Sequence, residues 1–130
     1  MRGFAERRLV TVLRCSVSAL GEDGGDQQVE RFRAAMPGIA QRFAEIVDGV
    51  EGHLLPNEGE VFTAYFGVRV AHEDDALRAV IAARRMLCHV ADINAATSGP
   101  SALRIGIGAG LHSGFAIVEE LPGRGVELWV

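Results

Sequence analysis

Few side chains in this sequence could do chemistry, and their types narrow what that chemistry would be. All thirteen basic residues are arginine. A Schiff-base lysine and the lysine of a P-loop are therefore excluded for this chain. Ser16 follows the apolar run "TVLRC", at a place where many α/β enzymes hold a metal-gripping acid. As a serine it is expected to satisfy local backbone groups in a loop. Glu60 sits in the turn-like stretch "NEGE" and reads as a solvated turn glutamate, with a relic metal ligand as the alternative. "HEDD" (72–75) gathers an imidazole and three acids, but acids in the first turn of a helix are explained by its dipole. "GIGAGLHSG" (106–114) looks like a phosphate loop. A dinucleotide fingerprint needs a helix after the glycines, and strand-like sequence follows here. His112 then reads as a surface residue of that turn. Cys88-His89 has no second pair at ligand spacing, so no zinc site is expected. Cys15 and Cys88 lie in apolar settings and are expected to be buried structural thiols.

The elements that would position these residues follow from hydrophobic period. Residues 8–15, "RLVTVLRC", read as a strand, and "GEDGGDQQ" as a loop. From Asp26 to Val50 the apolar residues Val29, Phe32, Met36, Phe43 and Val47 fall near one helical face. Pro37 predicts a kink, or two helices meeting at "MPG". "DGVEGH" ends the segment with glycines. "HLLPNEGEVFTAYFG" reads as two strands joined by a tight turn near "NEGE". "HEDDALRAVIAARRMLCHVADINAA" reads as a helix with Leu77, Val80, Ile81, Leu87 and Val90 as its buried stripe. "ALRIGIGAG", "GFAIVEE" and "GVELWV" read as three further strands. The order β-α-α-β-β-α-β-β-β predicts an α+β, ferredoxin-like sandwich, a mostly antiparallel sheet with helices packed on it.

With 130 residues, 48% apolar and 23% charged, the chain fits one globular domain over 1–130. No run approaches the roughly eighteen apolar residues of a membrane span. "MRGFAERRLV" lacks the pattern of a signal peptide, so a cytoplasmic location and no membrane partner are expected. The formal charge of −4 argues against nucleic acid as a partner.

Four segments, in order, resemble class III nucleotide cyclase domains. "ERRLVTVLRCSVSAL" is similar to their opening strand, commonly ERR-x-VTVLF-A-D-x-x-GFT. "GEVFTAYFG" is similar to their hairpin, commonly GDGVMAVFG. "VAHEDDALRAVIAARRML" resembles the next helix, and "LRIGIGAGLHSG" resembles the strand LR-x-GIHTG. The resemblance spans about Glu6 to Val118. It implies the same ferredoxin-like fold and a chemistry in which a 3′-hydroxyl attacks the α-phosphate of a nucleoside triphosphate, with two divalent cations as clamp.

Carried over position by position, the resemblance places the first metal-binding aspartate at Ser16 and the second at Glu60. The glycine-phenylalanine-threonine loop that lies along the phosphates falls on Ala19, Leu20 and Gly21. The base-selecting lysine falls on Pro56. A neutral hydroxyl holds magnesium poorly, and the Glu60 carboxylate sits one methylene further out than an aspartate; a misplacement of about 1 Å can cost roughly a hundredfold in rate. The resemblance also implies a later segment with a second base-reading residue, an asparagine and an arginine, and active sites shared across a head-to-tail dimer. The sequence ends at Val130, near the strand leading into that segment, so a domain without the family's C-terminal part is expected. The leading expectation is a degenerate cyclase homology domain, a regulatory or dimerising module in signalling, without cyclase activity. It forms a homo- or heterodimer and has no resident cofactor; magnesium or manganese enters only if ATP or GTP binding is retained. Two alternatives stand beside it. One is an active adenylate or guanylate cyclase, best as half of a heterodimer. The other is a ferredoxin-like domain that binds a protein or small ligand.

Overall fold

Alternating burial builds the centre of the sheet. In "VTVLRCSV", Leu13, Cys15 and Val17 are buried while Arg14 and Ser16 are exposed, the two-residue period of a strand that covers a core with one face only. The computed structural model describes residues 4–20, 26–97, 99, 102–121 and 125–129. Its elements are β1 (Phe4–Leu20), α1 (Asp26–Gly49), β2 (His53–Leu54), β3 (Val61–Phe66), α2 (Asp75–Ala96), β4 (Arg104–Leu121) and β5 (Gly125–Trp129). The strands form one sheet in the order β2-β3-β1-β4-β5, with every neighbouring pair antiparallel. β1 and β2 therefore run in one direction with β3 between them, and β3 and β4 in the other with β1 between them. These are two interleaved split β-α-β units, the ferredoxin-like arrangement expected from the sequence. Among the described residues, no helix is long and apolar enough to cross a membrane.

Both helices lie on the face of Leu13, Cys15 and Val17. Phe32, Ile39, Phe43, Ile46 and Val47 of α1 join them in the main core, with Phe62, Ala64 and Phe66 of β3. Phe43 and Phe62 meet edge to face, ring centroids 4.9 Å apart at 72°. Such a pair contributes about 0.5–1.5 kcal/mol beyond its burial. On the opposite face, Val10, Val68, Ala116 and Val118 form a smaller cluster. The rest of that face is open.

Several elements differ from their sequence expectation. β1 does not end near Cys15 but continues to Leu20, because β4 pairs with it from Phe4↔Glu120 to Leu20↔Arg104 without a bulge. For the same reason "ALRIGIGAG" and "GFAIVEE" are one strand, not two around a turn, and His112 lies within it opposite Val12. Continuous ladder bonding outweighs the weak strand preference of the glycines. α1 runs unbroken through Pro37. Pro37 and Arg33, four residues earlier, are both exposed, so the carbonyl that loses its amide partner faces water. The buried face of α1 holds the helix together on the other side. α1 closes with Glu51, not a glycine, in the left-handed region at φ 61°, and the Gly52 amide donates to the Val47 carbonyl at 2.9 Å.

The buried stripe of α2 is also corrected. Asp75, Ala79, Ala82, Ala83, Met86 and Val90 face inward. Leu77, Val80 and Leu87 are exposed and Ile81 is half-buried. Alanines let α2 lie close to the sheet, and a search for large apolar residues passes over them.

Candidate functional site

Of the residues singled out above, the open face of the sheet carries Ser16 and Pro56. Ser16 is exposed and paired laterally with Val61 of β3 and Gly108 of β4. It is a mid-strand residue and not the loop residue expected. Glu60 is set by the tight turn Glu58–Val61, whose end residues exchange both backbone bonds at 3.0 Å. Gly59 takes φ 59° there, and the Asn57 amide side chain donates to its carbonyl at 2.8 Å. The Val17 amide donates to the Glu60 carbonyl at 3.1 Å. Ser16 thus faces Val61 across the strands, and Glu60 lies one residue out of that register, opposite Val17. The two positions offer one hydroxyl and one carboxylate. Magnesium needs several hard, anionic oxygens in tight octahedral geometry, and this pair does not supply a two-cation clamp. Among the described residues there is no group of three or more histidine, cysteine, aspartate or glutamate side chains placed to hold a metal ion.

Ala19 and Leu20 belong to the last pairs of the β1–β4 ladder, opposite Ile105 and Arg104. They do not curl into a phosphate cradle. The Leu20 side chain lies over Gly106, within 3.0 Å of where a Cβ would stand. Gly21 lies outside the described residues.

Pro56 lines a groove of about 310 Å³ on the same face, with Val12, Arg14, Leu55, Glu58 and Tyr65. Proline offers neither charge nor donor there. Arg14 was passed over in the sequence. The signal for it was present, since one charged residue interrupts "VTVLRC" at a position whose neighbours two away, Val12 and Ser16, share its face.

The other candidates have structural roles. Asp75 is buried, and its Oδ2 accepts the His72 amide at 2.9 Å at the start of α2. Arg78 donates to Asp74 at 2.9 Å, and that bond holds the Asp74 carboxyl below its usual range. His72 Nε2 lies 2.8 Å from Glu51, tying the end of α1 to the start of α2. "HEDD" is therefore a helix-start cluster. Both cysteines are free. Cys15 is buried and desolvation pushes its thiol up to about 11. Cys88 is exposed, contrary to expectation, because it lies on the outer side of α2. His89 beside it packs edge-on against Phe43 at 6.3 Å, and burial, helped by Arg42, lowers its pKa.

No protein-family model matches the sequence, and no curated protein does. The fold does match solved structures. It superposes on the guanylyl cyclase Cya2 with a TM-score of 0.74 at 20% identity, over 100% of this chain and 66% of that one. The adenylyl cyclase CyaB from P. aeruginosa gives 0.72 at 15% identity, over 98% of this chain and 68% of that one. A dimeric guanylyl cyclase domain of the RhoGC fusion protein, from the aquatic fungus Blastocladiella emersonii, gives 0.71 at 16% identity, over 100% and 71%. The chain has the fold of adenylate and guanylate cyclase catalytic domains and spans about two-thirds of the length of these neighbours.

Proposed function

We propose that this chain is a degenerate class III nucleotide cyclase homology domain that works as a regulatory and dimerising module and not as a cyclase. The observation that carries this reading is the donor set at the two carried-over positions: Ser16 on β1 offers a neutral hydroxyl, and Glu60, whose turn carbonyl accepts the amide of the next residue of β1, offers a single carboxylate. Pro56 in place of a base-selecting lysine and the flat strand at Ala19-Leu20 support the same reading. A dimer is supported by apolar surface on the helix-side face of the long β1–β4 ribbon. Leu9, Leu111, Phe115 and Ile117 are 58%, 42%, 61% and 49% exposed there. Apolar groups gathered on one surface in this way mark an association surface.

Two measurements test the two halves of the proposal. Calorimetric titration with magnesium and with manganese is expected to show no saturable uptake. Tight, stoichiometric metal binding abolished by Glu60→Gln would refute the loss of the clamp. Sedimentation velocity is expected to show a dimer that Phe115→Glu dissociates. A monomer across the accessible concentration range would remove dimerisation from the reading.

A further inference from the structure

The outer edge of β4 is a long stretch of backbone with no strand beside it. The direction of its bonding groups follows from the register. The Val17 amide donates to the Glu60 carbonyl, so Val17 and alternate residues of β1 bond towards β3. Val10, Val12, Arg14 and Ser16 then bond towards β4, where they face Gly114, His112, Gly110 and Gly108. Ile107, Ala109, Leu111, Ser113 and Phe115 therefore turn their amides and carbonyls away from β1. Ile105, the first of that series, shows the same direction. The Asn94 side chain accepts its amide at 2.8 Å and donates to its carbonyl at 2.9 Å. β5 covers the edge only from Ile117 onward, where Trp129 stands opposite. Between these limits, among the described residues, no strand pairs with the edge over about 30 Å.

Proteins blunt a free edge with charge, proline or a bulge. This edge has none of them. "IGIGAGLHSGFAIV" (105–118) contains no acid, arginine or proline, and its register with β1 is unbroken. Its side chains on the face of the helices include the exposed Leu111 and Phe115. Val80 and Leu87 of α2 are exposed as well. They lie fourteen and seven residues before Asn94, so they share the stripe of α2 that reaches this edge. The edge and this stripe together ask for the backbone of a strand that carries apolar side chains towards α2. β4 itself fits that description. Antiparallel pairing with its own copy about Leu111 sets Ile107 opposite Phe115 and Ala109 opposite Ser113, every one with outward-turned backbone groups. No charged side chains oppose one another within that register. We infer that two copies of this chain join edge to edge through residues 107–115 of β4, so that one sheet runs through both. The inference deepens the dimerising half of the reading above and rests on it; it does not depend on the loss of cyclisation.

The test is amide hydrogen exchange of the purified protein, read by NMR at several concentrations beside sedimentation velocity. In the dimer the amides of Ala109, Leu111 and Ser113 are expected to be protected, and on dilution to exchange freely. Those of Gly108, Gly110 and His112, bonded to β1, are expected to stay protected throughout. Ala109→Pro removes only an outward amide and is expected to weaken the dimer at least about tenfold, two bonds being lost per dimer. Leu111→Cys, in a Cys88→Ser background, is expected to be joined to its copy by a short bifunctional thiol reagent, because the two Cα atoms stand about 5.5 Å apart in this pairing. A dimer whose Ala109, Leu111 and Ser113 amides exchange freely would overturn the edge pairing and leave dimerisation standing. Protection of these amides in a monomer would show that the chain covers its own edge and would overturn it as well. A chain that stays monomeric would end both. Cyclic-nucleotide formation by an edge-paired dimer would sink the loss of catalysis and leave this inference in place.

Discussion

Gly52 joins α1 to β2, and a single methyl group there should disturb the hairpin that carries Glu60. Its φ lies outside the left-handed region, so an alanine meets no backbone penalty, only a steric one. A Cβ at Gly52 would lie 2.6 and 2.8 Å from Cε1 and Cζ of Phe66 and 2.9 Å from Cγ1 of Val47. Carbon atoms pack comfortably at about 3.5–4.0 Å, so the neighbours must give by roughly 1 Å. Phe66 is 0% and Val47 1% exposed, with no free space to enter. The Gly52 amide is tied to the Val47 carbonyl, so the new methyl cannot simply swing outward. Overpacking of this kind costs about 1–3 kcal/mol. For a chain of this length that is a fall in Tm of roughly 3–10 °C. Gly108→Ala is the matched control. It sits on the open face with nothing within 4 Å, and replacing a strand glycine there should be neutral or stabilising by up to about 1 kcal/mol. Thermal and urea unfolding followed by circular dichroism read both variants. A Gly52→Ala protein as stable as the unaltered chain, or a Gly108→Ala protein equally damaged, would refute the packing argument.

Other expectations follow from the same structure. Pro37→Ala should restore an amide donor inside an exposed helix face and raise stability, by up to about 3 kcal/mol, which a higher Tm would register and a lower one would contradict. A thiol reagent at pH 8 should modify Cys88 quickly and Cys15 only as fast as the fold opens, since burial holds the Cys15 thiol at about 11; two equally fast thiols would oppose this. Burial first, then Arg69 and Arg42 respectively, lower the pKa values of His53 and His89 from 6.5. Below pH 6.5 the unfolded chain therefore takes up protons that the folded chain resists, and stability should fall as pH drops from 7 through this window. His89→Gln should flatten the dependence of Tm on pH, and an unchanged slope would assign it elsewhere.

The ferredoxin-like order was legible in the sequence because two helical periods separate strand-like runs in the right sequence, and each crossover then has one neighbour to enclose. The tight turn at Glu58–Val61 was legible from its glycine. What was not legible has a common cause in long-range pairing. Neither Ser18-Ala19-Leu20 nor the glycines from Gly106 to Gly114 look like strand, yet each is strand because the other lies beside it. The stripe of α2 misled for a different reason, since alanines carry little hydrophobic signal although they decide how close a helix can come. In the site, Ser16 and Glu60 were singled out by resemblance, and the β1–β3 register then sets Val61, not Glu60, opposite Ser16. Arg14 was not legible because a single charge inside an apolar strand does not show which face of the sheet is left open.

The central claim is that this sheet no longer performs cyclisation. The most direct measurement is formation of cyclic AMP or cyclic GMP by the purified protein from ATP or GTP, first with magnesium and then with manganese. No product above the protein-free control is expected with either metal. Sustained, EDTA-sensitive formation of cyclic nucleotide that Glu60→Gln abolishes would contradict the account.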